Sequence, residues 1–259
     1  MTKLSVVVIA KDEEKNIRDC LERVKWADEI IIIDDFSRDK TTEIAREFTS
    51  KIYRHRMEGF GQQRNFGIDK TKGDWIYFAD ADDRVTPELR DEILATIKNP
   101  KYNAYKIYQK TNYLGRWIRY CGWYAPVMKL LKNGKARFNF EKAIEKPVVE
   151  GKIGCLKNPV LHTGYPDIST HIKKISLYSK YEAETMAGKG VEFKRYNLAW
   201  YFLIRPLVKF FQKYIYLKGY REGMHGFILS AMNAFYLFLI YAVAWERGKD
   251  ETVGKKNRN

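Results

Sequence analysis

Residues 77–85 read YFADADDRV, an apolar run that stops in three carboxylates, Asp80, Asp82 and Asp83. Acids this close repel and raise one another's pKa unless something positive meets them. Part of this acid suits a helix start. Thr86-Pro87-Glu88 opens a helical pattern and an acidic residue favours the positive dipole end, which accounts for Asp83 as a cap. Asp80 and Asp82 precede that start and, two apart in an extended chain, share one side of it. Two carboxylates on one side call for a cation.

Two other acidic stretches sit in comparable places. Lys11-Asp12-Glu13-Glu14 follows LSVVVIA (4–10), and Asp34-Asp35 closes EIIIID (29–34). Both apolar runs are β-branched and continuous, as expected of strands buried on two faces. After the first, Ile17, Cys20, Leu21 and Val24 recur at helical spacing, and SRDKTTEIAREF gives a second helix that Ser37 or Asp39 can cap. GDWIYFADAD (73–82) is a later strand. Strands alternating with helices predict an α/β fold with a mostly parallel sheet. Ligands of such sheets bind outside the carboxyl ends of the strands, where all three acidic stretches fall.

At 259 residues with 45% hydrophobic content, the chain is long enough for one large core with an appendage. Cys20, Cys121 and Cys155 lie far apart without metal or disulfide spacing, and the default compartment is reducing. The N-terminal apolar run meets charge at once and reads as a first strand, not a leader. The net charge of +15 is concentrated after His171, so that end is expected to meet something acidic: nucleic acid, anionic lipid or a phosphorylated substrate.

From about Asn103 to Pro159 the pattern changes to short strands, aromatics and glycine turns. Residues 193–218 then form a basic amphipathic helix, with Lys194, Arg195, Arg205, Lys209 and Lys213 on one arc. Leu203, Leu207, Phe210, Phe211, Tyr214 and Leu217 lie opposite, and Pro206 is a place for a kink. Phe227–Trp245 is apolar apart from Ser230 and Asn233, and just long enough to span a bilayer.

SVVVIAKDEEKNI, IIIDDFSRDKT, QQRNFGI and GDWIYFADADD, in that order and spacing, resemble the family 2 glycosyltransferases, nucleotide-sugar enzymes of the GT-A fold, a Rossmann-like mostly parallel sheet. Beyond residue 110, YLGRWIRYCGWY, GKARF, IEKPVVEGKIG and VLHTGY are similar to the lipopolysaccharide core β-1,4-glucosyltransferases, which glucosylate an inner-core heptose. The resemblance implies a catalytic domain over 1–165, with a nucleotide-sugar half (1–100) and an acceptor half (101–165), and a helical membrane-associating extension over 166–259. It implies an inverting transferase using Mg²⁺ or Mn²⁺, with UDP-glucose as donor and a lipid-linked saccharide as acceptor. Its place would be the cytoplasmic face of the inner membrane, peripheral or monotopic. A diphosphate can leave at neutral pH only if its growing charge is stabilised, and a divalent cation on one or two carboxylates does this.

Residue by residue, the resemblance makes Asp82 the metal ligand and sets Asp80 toward the ribose or the metal's water shell. Ala10, Lys11, Glu13 and Asp34 contact the nucleotide, Asp34 accepting from the uracil imide. Arg64 is a phosphate or base contact, and His162 joins the metal or pyrophosphate. Glu145 is the base that takes the acceptor proton, with Glu141 its rival. Two positions depart from the pattern: Ile144 replaces a histidine beside Glu145, and Phe36 stands where glycine is common, so the turn is not expected to need positive φ. Trp117, Arg119, Trp123 and Tyr124 form an aromatic and basic cluster suited to stacking on sugars, or equally to ordinary core packing.

Other classes fit less well. A phosphatase using Asp-x-Asp wants a threonine soon after the second Asp. A basic non-catalytic module would favour lipid over nucleic acid, because the charge lies on an amphipathic helix and no helix-turn-helix or zinc pattern is present. A transferase of another cell-envelope glycan or lipid carrier is the nearer alternative.

Overall fold

The computed structural model describes residues 2–139, 147–188 and 193–256. The chain divides into two units, residues 1–112 with 124–164, and residues 113–123 with 165–259.

In the first unit, β1 (Leu4–Ala10), α1 (Ile17–Glu22), β2 (Glu29–Asp34), α2 (Thr41–Arg46), β3 (Ile52–Arg54), α3 (Phe60–Lys70) and β4 (Trp75–Asp80) come in alternation. Then follow β5 (Asp83–Arg84), α4 (Pro87–Lys98), β6 (Ala104–Tyr113), β7 (Arg116–Trp117), which falls in the second unit, β8 (Ala125–Lys132), β9 (Ala136–Phe138), β10 (Pro147–Val149), β11 (Ile153–Cys155) and β12 (Val160–Tyr165). The main sheet runs β3-β2-β1-β4-β8-β6-β12-β5. It is parallel from β3 to β4 and antiparallel where β8 joins β4 and β6.

The β-branched runs are buried on both faces, which is why they do not alternate with polar residues. Val6, Val8, Ile32 and Tyr77 pack with Ile17, Leu21 and Val24 of the α1 region and Leu89 and Ile93 of α4. Val7, Ile31, Ile33 and Phe78 pack the other way, with Ile68 of α3. Each fully buried aliphatic of this kind contributes on the order of 1.5–3 kcal/mol.

The second unit is helical, with α5 (Ile168–Gly188), α6 (Arg205–Phe211) and α7 (Met224–Lys256). Pro206 lies in the first turn of α6, and a π turn, Trp200–Ile204, precedes it; the Arg205 N–H donates five residues back, to Trp200 O. The lengthened turn accommodates a residue that cannot donate. Tyr113, Ile118 and Cys121 pack with Leu229 of α7. The turn before α7 makes a tight backbone approach, since a Cβ on Gly226 would fall 1.8 Å from Gly219 O. Glu222, buried there, accepts from Arg116 Nε (3.1 Å) and from the backbone N–H groups of Arg119 (2.8 Å) and Tyr120 (2.9 Å).

The amphipathic run is helical, but its faces differ from expectation. Phe210 and Tyr214 pack against Phe227, and Lys213 is half-buried, its pKa held down by burial and by Lys209. The outward face is a stripe of Trp200, Leu203, Ile204, Leu207, Val208, Phe211 and Ile215, all exposed. Met224–Gly248 of α7 is long and apolar enough to cross a membrane, with mean hydropathy 2.0, while Leu229, Ile240 and Tyr241 on it are buried.

Candidate active site

Register places the acids together. Ala10 pairs with Asp34 and Ile9 with Asp80, so the carboxyl ends of β2, β1 and β4 stand side by side. The loops after β1 and β2 are laced to each other. Lys11 Nζ meets Asp35 Oδ2 (2.7 Å), Asp12 N donates to Ser37 Oγ (3.0 Å) and Arg38 N to Asp12 Oδ1 (2.7 Å). Glu13 N donates to Thr41 Oγ1 (2.7 Å) and Glu14 N to Asp39 Oδ2 (2.9 Å). Asp39 also accepts from Thr41 N (2.9 Å), but it stands one residue before the N-cap position, which Lys40 occupies without a side-chain cap, and Ser37 serves the facing loop. Phe36 does adopt φ 53°, as does Asp12. The expectation for Phe36 fails because this lacing over-determines the turn, holding a non-glycine residue in a conformation that costs on the order of 1 kcal/mol or more. The Asp34 carboxylate is fully buried and accepts from Ser37 N at 3.2 and 3.3 Å, with Arg54 Nε 3.8 Å away.

At the end of β4 the chain does not stay extended. It turns through Ala81-Asp82 before β5, so Asp80 and Asp82 are displayed by a turn instead of by strand alternation. Asp83 is not the helix cap. Thr86 is, its hydroxyl accepting from Leu89 N (3.3 Å). Asp83 is buried and accepts from Asp80 N (3.0 Å), from Lys129 Nζ (2.5 Å) and faces His162 Nδ1 (3.0 Å). Its acid neutralises a lysine that sequence reasoning missed. Lys129, also buried, reaches Asp80 Oδ2 at 2.8 Å as well. Burial would lower its pKa, but Asp80 and Asp83 raise it, so the ammonium is retained. The signal in the sequence was a lysine inside an otherwise apolar strand, VMKLL.

The turn is gripped from every side. Arg84 donates to the carbonyls of Ala81 (3.2 Å) and Asp83 (3.0 Å) and pairs with Asp19; Thr163 donates through N (2.9 Å) and Oγ1 (3.1 Å) to Asp82 O. Arg64 lies with its guanidinium 5.0 Å from the Phe78 ring centre and 3.4 Å from Asp80 Oδ1. Burial pushes the Asp80 pKa up, yet Lys129 and Arg64 together hold it well below the usual carboxylate range. The neighbours of Arg64 in QQRN, likewise unassigned from sequence, are positioning residues: Gln63 Nε2 donates to His55 O (3.0 Å), and Asn65 bonds both N (2.9 Å) and O (2.8 Å) of Phe138.

Carboxylate oxygens of Asp82 and Asp83 and a ring nitrogen of His162 lie within 4.8 Å of one another, all buried. This oxygen and imidazole set fits a divalent first-row ion such as Mn²⁺, and less well Mg²⁺, which prefers oxygen alone. Burial lowers the His162 pKa, but the Asp82 charge and the Asp83 hydrogen bond outweigh it and the net shift is upward. Asp83 is paired with Lys129, and Asp82 and His162 are the members of the cluster that could hold a cation.

Of the residues expected to meet an acceptor, Tyr124 stacks on Tyr108 in the first unit (4.9 Å). Arg119, Trp117 and Trp123 belong to the second unit, Arg119 and Trp117 exposed and Trp123 edge-on to Tyr165 (4.8 Å). Glu141 and Glu145 lie outside the described residues.

Glycosyl transferase family 2 matches residues 5–153, more than half of the chain, and the protein belongs to that family. Among curated relatives, an uncharacterized glycosyltransferase of Rickettsia typhi is 28% identical over 256 residues, covering 92% of this chain and 85% of that protein. The lipopolysaccharide core biosynthesis glycosyltransferase LpsC of Rhizobium meliloti is 24% identical over 261 residues, covering 94% and 92%. Among solved structures, residues 1–349 of S. aureus TarS in complex with UDP-GlcNAc match with TM-score 0.53 and 16% identity, over 96% of this chain and 92% of that one, which is likeness of fold.

Proposed function

We propose that this transferase is inverting and metal-dependent, moving a hexose, glucose from UDP-glucose, onto a lipid-linked saccharide such as an inner-core heptose of lipopolysaccharide. The observation that carries the reading is the convergence of Asp34, Asp80 and Asp82 at the carboxyl edge of three adjacent strands beside a buried imidazole. The likeness to a lipopolysaccharide core transferase over 94% of this chain supports the acceptor class.

In this reading Asp34 accepts from the uracil imide, and Asp80, held ionised by Lys129 and Arg64, orients a ribose hydroxyl. Glu145 takes the acceptor proton as the hydroxyl oxygen attacks the anomeric carbon opposite the departing diphosphate, and the sugar–phosphate C–O bond breaks. Asp82 and His162 would hold a divalent cation, which when bound would supply charge stabilisation for that leaving group. Lys11 and Glu13, which fasten the two nucleotide loops to each other, preform the donor cleft.

The second unit serves the lipid side. A stripe of Trp, Leu, Ile, Val and Phe on one helical face, exposed beside Arg205 and Lys209, suits insertion at the headgroup boundary of an anionic surface. That reading places the protein on the cytoplasmic face, where a soluble donor meets a lipid-linked acceptor. Incubation with UDP-, GDP- and TDP-sugars and Mn²⁺ or Mg²⁺ tests the chemistry: nucleotide release is expected from UDP-glucose above the others, and release from none of them refutes it.

A further inference from the structure

The outer edge of the main sheet carries a groove that the donor chemistry does not use. It lies in the first unit, between α2 and the edge strand β3, and has a volume of about 530 Å³, in the range of small-ligand sites. Thr42 and Arg46 of α2 line one side, Ile52 and Arg54 of β3 the other, and Thr49 and Ser50 the connection between them. Residues four apart share a face of a helix and residues two apart share a face of a strand, so each element brings one arginine to the same groove. Arg46 is exposed and forms no ion pair among the described residues. Arg54 meets one acid, Asp34, its partner in strand register, and only through Nε at 3.8 Å, beyond hydrogen-bond distance. The acids beside Arg46 in sequence do not compensate it: Glu47 is held by Arg18 (2.7 Å), and Glu43 lies outside the groove.

A second observation, independent of charge, points to a ligand. Thr42 is only 9% exposed and lines the groove, yet its hydroxyl has no hydrogen-bond partner among the described residues. A helical threonine can donate to the carbonyl one turn back, and a buried hydroxyl left without any partner is costly. Thr49 shows the contrast, since its Oγ1 donates to Ile30 O (2.8 Å) and accepts from Lys51 N (3.0 Å). The groove thus combines a buried hydroxyl in want of an acceptor with two guanidiniums from different elements. Donors arriving from several directions suit a tetrahedral oxyanion, which offers three outward oxygens, better than a planar carboxylate.

We propose that this groove binds the phosphate group of a phosphorylated ligand, at a site separate from the turn that would receive the donor diphosphate. Lys11, Glu13, Asp80, Asp82 and His162 do not line it, and Arg54, through Asp34, is where the two sites adjoin. The full-length protein is tested in EDTA, without donor. Inorganic phosphate, glucose 6-phosphate and acetate are titrated calorimetrically at fixed ionic strength. Vesicles of phosphatidylcholine, alone or mixed with phosphatidic acid, are assayed by cosedimentation. Every arm is repeated with Arg46→Gln and Thr42→Val, which should unfold thermally as the parent does, because Arg46 is exposed and valine keeps the shape of threonine.

At least one phosphate source is expected to bind the parent on the order of 10-fold more tightly than either variant, with acetate weaker than phosphate. A loss seen with inorganic phosphate or glucose 6-phosphate supports the proposal with a soluble phosphate as ligand; a loss seen with phosphatidic acid vesicles alone supports it with a lipid headgroup. Binding of every phosphate source that is the same in parent and Arg46→Gln, or unchanged in Thr42→Val, or acetate binding as tight as phosphate, overturns it. UDP with Mn²⁺ is titrated in parallel and should bind parent and Arg46→Gln alike. Absence of UDP binding in both would refute the donor reading and leave the groove to stand or fall on phosphate.

Discussion

Replacing Lys129 by Met tests whether the acidic turn is held by an internal cation. The ammonium sits 2.5 Å from Asp83 Oδ2 and 2.8 Å from Asp80 Oδ2, with its side chain 1% exposed. Asp80 loses its strongest cationic partner, but it is partly open to solvent and keeps Arg64, which offset part of that loss. Asp83 is fully buried and keeps His162 and the Asp80 N–H, but loses its full countercharge. Breaking one side of a buried ion pair costs about 3–5 kcal/mol, and the open flank of Asp80 puts the expected value near about 3 kcal/mol. Urea unfolding followed by circular dichroism measures it. The double variant Lys129→Met with Asp83→Asn should recover at least half of the loss, because the stranded charge is then gone. A Lys129→Met cost below about 1 kcal/mol, or a double variant no more stable than the single one, would refute the reasoning.

Four further outcomes are expected. Asp82→Ala should retain the fold and lose about 10²-fold or more in transfer, together with Mn²⁺ binding measured by electron paramagnetic resonance. Glu145→Gln should bind UDP normally and transfer slowly; if Glu141→Gln is the slow variant instead, the base is misassigned. Phe36→Gly should leave thermal stability unchanged or raise it by up to about 1 kcal/mol, since glycine removes the strain of φ 53° while loosening the unfolded chain. His171, buried and neutral with its pKa lowered to about 4 from 6.5, binds its proton less readily folded than unfolded. Its contribution is therefore fully present above about pH 6.5 and lost as pH falls toward 4, on the order of 2 kcal/mol with partial screening, and His171→Gln should flatten that slope in pH-dependent melts.

The parallel half of the sheet was legible because its strands are continuous β-branched runs, and burial on two faces leaves that mark in local sequence. The carboxyl-edge location of the acids followed from topology alone. Asp83 was misread because Thr86-Pro87 beside it carries a strong cap signal, while its true partner Lys129 is 46 residues away. No periodicity reports a cross-sheet pair. Phe36 was misread for the opposite reason: its own steric preference is clear, but the lacing that overrides it comes from residues 12–14. In the amphipathic run the two arcs were visible, yet which apolar side chains pack and which face outward depends on Phe227, supplied by a different helix.

The central claim is that the turn Asp80–Asp83, with His162, receives a nucleotide diphosphate together with a divalent cation. Calorimetric titration of UDP into the protein, with and without Mn²⁺, tests it most directly when parent and Asp82→Asn are compared. The account predicts binding that depends on Mn²⁺ in the parent and falls at least about 10-fold in Asp82→Asn. Equal UDP binding with and without the ion, or in both proteins, would contradict it.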